Sequence, residues 1–115
     1  MAGIFIPQAA AQAALSTSAS TLLTAPALSS SQSTGDATAQ LTEITLCNTT
    51  SSAATAIIGI GGVAAANQLI NTTIQGGDTL VLSGLKTLLG ADATLQGESG
   101  TASAITATVS WGTVQ

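Results

Sequence analysis

The clearest pattern along the chain lies near its C-terminal end, where Ile105, Ala107, Val109 and Trp111 fall on one side of an alternating run and Thr106, Thr108 and Ser110 on the other. A period of two sends successive side chains to opposite faces of an extended chain, so this run predicts a strand buried on one side. The alanines between Ala102 and Val109 would also suit a helix, but the Thr and Val content and the period decide for a strand. Further upstream, apolar residues recur in short groups: Leu41, Ile44 and Leu46 within Gln40 to Asn48; Ile57, Ile58 and Ile60 within Thr55 to Ile60; Leu69, Ile70 and Ile74 within Asn67 to Gln75; and Leu80, Val81 and Leu82 within Asp78 to Ser83. Turn-rich clusters at 48–52, 61–62, 76–77, 83–84, 97–100 and 112 separate these groups. Short strands punctuated this regularly predict an antiparallel β-sandwich or barrel. Leu85 to Leu89 fits a connecting loop or a single helical turn. The expected core comprises Ile44, Leu46, Ile58, Leu80, Leu82, Val109 and Trp111.

Before Thr38 the pattern changes character. Runs such as Ala-Gln-Ala-Ala at 11–14, Ser-Thr-Ser-Ala-Ser at 16–20 and Ser-Ser-Ser-Gln-Ser-Thr-Gly at 29–35 are of low complexity. A segment of this kind buries too little apolar surface by itself to offset its ordering entropy. Residues 1–38 are therefore expected to form an extended arm ordered by contact with neighbouring subunits, with a local flap as the alternative for residues 1–18, and residues 39–115 the sandwich domain. Ile4, Phe5 and Ile6 would anchor the arm, with Pro7 ending the apolar group. Pro7 to Leu15 has the Ala and Gln content of a short helix. Leu22 and Leu23 would add an extended segment before Pro26, and Leu15 joins them as an expected interface residue.

Composition sharpens this picture. Hydrophobic residues make up 45% of the chain but aromatics only 2%, namely Phe5 and Trp111, so burial must come from Ala, Ile, Leu and Val. A domain of 115 residues buries only roughly 60–70% of the surface that its unfolded chain exposes, and stability is expected to lean on neighbours. Charged residues are 5% of the chain, against about 25% in an ordinary soluble domain. Lys86 is the only cation, beside Asp36, Glu43, Asp78, Asp92 and Glu98, for a net charge of −4. An isolated monomer usually keeps itself soluble with a mixed, charged surface. Here Ser, Thr, Asn and Gln do so, which suits faces that are covered in an assembly. One cation cannot neutralise a run of phosphates, which argues against nucleic acid as a partner.

Candidate chemistry is sparse. The chain has no His, no Tyr and one cysteine, Cys47, which fits a small strand residue and permits no intrachain disulfide. General acid–base catalysis draws on His or on paired carboxylates with displaced pKa values, and the five carboxylates here are dispersed. No catalytic, cofactor-binding or metal site is expected: clustered Cys and His for zinc are missing, as is an Asp-x-Asp ligand run for calcium. Gly59-Ile60-Gly61-Gly62 has the glycines of a phosphate loop without its Lys and Ser or Thr, and fits a strand-end turn. The sequons Asn48-Thr49-Thr50 and Asn71-Thr72-Thr73 arise readily in Thr-rich sequence. No Lys or Arg precedes the first apolar residues, as it would in a signal peptide, and the Ala-rich run from 56 to 66 is shorter than the about 20 apolar residues a membrane-spanning helix needs. No passage through a membrane and no membrane partner are expected.

Ile44-Thr45-Leu46-Cys47-Asn48-Thr49 resembles the opening strand and turn of a diffuse group of short tailed-bacteriophage structural proteins. Gly77-Asp78-Thr79-Leu80 is similar to a later Gly-x-Thr element of that group, Leu88-Leu89-Gly90-Ala91-Asp92 to its Leu-x-x-Gly-Asp segment with one extra Ala, and Ile105 to Val109 to its final alternating strand. The likeness covers about residues 21–111 and is one of spacing. It implies a small all-β antiparallel sandwich, jelly-roll-like or immunoglobulin-like, made in the host cytoplasm and located in the virion. The implied role is a head decoration (cement) protein, as a homotrimer bound to the major capsid protein; the alternative is a neck, tail or fibre accessory protein. A third reading, a carbohydrate-binding adhesin module, would need Trp111 as a stacking platform, whereas its place on the apolar face fits core packing.

Overall fold

The computed structural model describes residues 4–115. The described chain is all-β: β1 Phe5–Pro7, β2 Ala11–Ala14, β3 Ser20–Thr24, β4 Ala37–Asn48, β5 Ala54–Ile60, β6 Gln68–Ile74, β7 Thr79–Leu82, β8 Thr87–Gly90, β9 Thr94–Ser99 and β10 Ile105–Val114, with one 3-10 turn at Ala65–Asn67. Two antiparallel sheets pack as a sandwich. The first has β10 and β4 at its centre, β1 and β2 in succession along one edge, and β7 and β8 in succession along the other; the second has the order β3-β9-β5-β6.

Counting each broken edge as one strand, both sheets have four strands and the chain passes repeatedly between them. Only β5 and β6 are consecutive strands paired in one sheet. This is the connectivity of a jelly roll. It departs from an immunoglobulin-like sandwich, in which the first two strands share a sheet; here β1–β2 and β3 lie in opposite sheets.

The alternation predicted at the C-terminal end is present in β10, where Ile105, Ala107 and Val109 are buried and Thr106, Thr108 and Ser110 are half-buried. Its partner β4 buries Ile44, Leu46 and Asn48 in the same sense, and an extra residue, Thr42, opposite the step from Ser110 to Trp111 forms a bulge. Ile58 from β5 and Leu95 from β9 meet these side chains from the second sheet. At the end of β4, Asn48 is buried with its polar atoms engaged. Its Nδ2 donates to the carbonyls of Ser52 and Ile74, each at 2.8 Å, and its Oδ1 accepts from the Thr50 amide and hydroxyl at 2.9 and 2.8 Å. One side chain thus joins the crossing from β4 to β5 to the far end of β6.

Three local expectations change. Pro7 to Leu15 is not a helix: Ala11–Ala14 pairs with β10, because a ladder along an existing strand outweighs the weak helix propensity of four residues. Thr87–Gly90 is a strand on β4 rather than a loop or helical turn. Thr94–Ser99 is an inner strand of the second sheet although the turn cluster at 97–100 overlaps it. Gly97 reads as a turn signal, but a Cβ there would come within 2.8 Å of Leu15 Cδ2 and 3.0 Å of Ile58 Cδ1; the glycine makes room for core side chains.

The low-complexity arm also takes a different place. Residues 5–7 and 11–14 pair with β10 and residues 20–24 with β9, so the described part of residues 1–38 is built into the chain's own two sheets. Pairing supplies the backbone hydrogen bonds and Leu15 supplies the apolar burial that composition understates. Residues 1–3 of the expected arm lie outside the described residues.

Candidate interaction surfaces

The expected core residues Ile44, Leu46, Ile58 and Val109 are fully buried. Leu80 and Leu82 face the core but stay half-buried, because β7 lies at an edge where no further strand covers them. Trp111 packs against the core from the end of β10, and its Nε1 donates to the Ala9 carbonyl at 3.0 Å. The indole is thereby tied to the linker between β1 and β2.

The residues expected to contact neighbours divide into two sets. Leu15 is completely buried where the chain crosses from the first sheet to the second, and Leu23 is buried in the same core. Leu22, an extra residue in the pairing of β3 with β9, also packs on the core. These three are therefore corrected to core residues of their own domain, since the bulge turns two adjacent leucines toward it. Ile4, Phe5 and Ile6, in contrast, are 52%, 39% and 38% exposed. Phe5 lies across Gly112 at a distance that leaves no space for a Cβ.

Polar chemistry does not converge. No group of three or more His, Cys, Asp or Glu residues comes together among the described residues. A surface hollow of about 490 Å³ is lined by Ser31, Gln32, Ser33, Asp36, Leu88 and Val114, among others. Its polar groups are already engaged: Gln32 Nε2 donates to the Ala37 and Val114 carbonyls at 2.9 and 3.0 Å, and Asp36 Oδ2 accepts from the Ser33 amide at 2.9 Å. These bonds hold the loop between β3 and β4 against the sheet end. Another hollow, about 180 Å³, opens between β6 and β7, with Asp78 the one carboxylate in its lining.

What does converge is exposed apolar surface. Of the six large hydrophobic side chains exposed among the described residues, Leu69 lies on β6 and the other five lie on the edges of the first sheet. Ile4, Phe5 and Ile6 mark one edge; Val81 and Leu88, 52% and 57% exposed, mark the other. Sequence reasoning identified the first group by its apolar run. It placed Val81 within a strand and Leu88 in a connection, and only the sheet order reveals that both belong to one edge.

No protein-family model matches this chain, and no curated protein or solved structure matches it. No helix among the described residues is long and apolar enough to cross a membrane.

Proposed function

We propose that this chain is a structural subunit of a bacteriophage virion, a head decoration protein that binds the major capsid protein and copies of itself, expected as a homotrimer, and stabilises the lattice. The observation that carries this reading is a nearly uncharged sandwich with exposed apolar side chains on both edges of one sheet. Unpaired sheet edges that carry apolar side chains offer another chain a place to pair. The near-absence of charge supports the same conclusion, because a subunit enclosed by neighbours has no need of a charged, solubilising exterior.

In this reading the chain does no chemistry and carries no cofactor. It works by burying several modest surfaces at once, so that weak contacts repeated over a lattice act in parallel. Those contacts come from folded sheet edges and faces, since residues 5–24 are occupied within the chain's own sheets. The adhesin alternative loses its platform, because the Trp111 indole packs on the core and its N–H is bonded to Ala9.

The test is to compare phage heads with and without the subunit. Heads that lack it are expected to release DNA at a lower temperature, and readdition of the protein should restore resistance. Unchanged heat resistance would contradict the decoration role. Copy number from gel band intensities separates it from the neck or tail alternative: hundreds per particle fit the head lattice, and about a dozen fit a neck ring.

A further inference from the structure

The two apolar edges of the first sheet are matched to each other. Across the sheet, Pro7 stands opposite Gly112, Gly112 opposite Gln40, and Gln40 opposite Leu88. A parallel row runs Gln12, Thr108, Thr45, Val81. Thus β1 and β8 lie at the same level on opposite edges, as do β2 and β7. We propose that copies of this chain join head to tail through these edges, β1–β2 of one copy pairing with β7–β8 of the next; the proposal rests on the reading of the chain as a self-assembling structural subunit.

Strand direction permits this continuation. Every neighbouring pair in the sheet is antiparallel, and two strands, β10 and β4, lie between the edges, so β1 runs opposite to β8 and β2 opposite to β7. A second copy added in the same orientation therefore meets an antiparallel partner, and the alternation passes unbroken from copy to copy. The interruptions coincide as well. The break between β1 and β2 lies beside Trp111 and Ser110, level with the break between β7 and β8 that spans 83–86, whereas Pro7 is level with Leu88 within β8. Proline and bulges ordinarily guard an edge against pairing. Here the break faces a gap in the opposing edge, and Pro7, at the end of β1, removes one donor from the ladder with β8.

Apolar content and charge favour the same contact. The level of β1 and β8 brings Phe5 and its neighbours toward Leu88, and no charged residue occurs before Asp36. Lys86, the single cation of a chain with net charge −4, sits in the β7–β8 connection. With Asp78 directly before β7, the receiving edge carries one charge of each sign, and it meets an edge that carries none. A two-fold contact of β1 with β1 would bury Phe5 but leave Val81 and Leu88 bare, whereas the head-to-tail contact covers both edges. Interfaces of stable complexes bury about 800 Å² per partner; two on one chain would take a little over a quarter of its 5771 Å² surface, consistent with the scarcity of charge. Heterologous contacts of this kind close into rings or run on as filaments.

The experiment uses the full chain and two variants, Ile4→Lys on one edge and Leu88→Lys on the other, with circular dichroism to check the fold and light scattering after size exclusion to read mass. The unaltered chain is expected as a closed ring or longer series. Each variant alone should fall to the mass of one chain, 11.1 kDa, because each retains only one usable edge. Mixed in equal amounts, they should form a one-to-one dimer through the two unaltered edges, an outcome that a two-fold contact cannot produce. A folded variant that keeps the unaltered chain's mass, a mixture that yields no dimer, or an unaltered chain that stays monomeric at its highest soluble concentration would overturn the proposal. Binding of a monomeric chain to phage heads would leave the decoration reading standing while this inference fell; a ring that leaves the heat resistance of heads unchanged would do the reverse.

Discussion

The two sides of the sandwich are closed to different degrees, and by sequences of opposite appearance. On the side of β1–β3, the chain crosses between sheets at Leu15, which is completely buried, and Leu23 and Ala25 are buried in the same core. On the side of β6 and β7, Leu80, Leu82 and Leu85 are only half-buried, and a hollow opens between the sheet edges. The closed side is built from the low-complexity Ala, Ser and Thr run, whereas the open side includes the dense apolar group Leu80-Val81-Leu82. Burial here follows position in the jelly roll and not local hydrophobic density. A single leucine at a crossing between sheets has neighbours on every side, while three residues on an edge strand have them on one.

This difference predicts unequal responses to the same truncation. Leu15→Ala should have the largest effect, a loss of about 3 kcal/mol, because it empties a fully enclosed site between Gly97, Ile58 and Leu22 that backbone pairing prevents from collapsing. Urea denaturation checks it, and a loss well under half that size would mean that the N-terminal strands are loosely held. Asn48→Ala should cost about 2 kcal/mol, because it leaves the carbonyls of Ser52 and Ile74 short of a donor at a buried strand end. The same titration reads it, and Asn48→Asp, which keeps the acceptor and removes the donor, should restore little. Leu80→Ala on the open side should cost only about 1 kcal/mol in the isolated subunit, in proportion to its half-buried surface. In assembled particles its effect should grow if the edge is covered there, which thermal shift of the two forms can compare.

The same contrast explains what the sequence made legible. The all-β class, the strands around Ile44, Ile58 and Ile70, and the alternation of Ile105 to Val109 follow from periodicity, which reports each strand's own two faces. Periodicity carries no information on which strands become neighbours. Leu15, in an Ala-rich run with no period, therefore gave no sign of being a core residue, and its own low-complexity flanks pointed to an arm. Gly97 misled for a related reason: glycine serves turns and close packing alike, and only Leu15, Ile58 and Leu22 around it identify the second use. The apolar anchor at Ile4 to Ile6 was readable from composition. Its counterpart at Val81 and Leu88 was not, because β7 and β8 become one edge only through their shared pairing with β4.

The central claim, that the chain is a building part of the phage head, is tested most directly by imaging purified particles that carry a labelled copy of it in the electron microscope. The account predicts label distributed regularly over the head, at positions set by the capsid lattice. Label confined to the neck or tail, or particles that carry none, would contradict it.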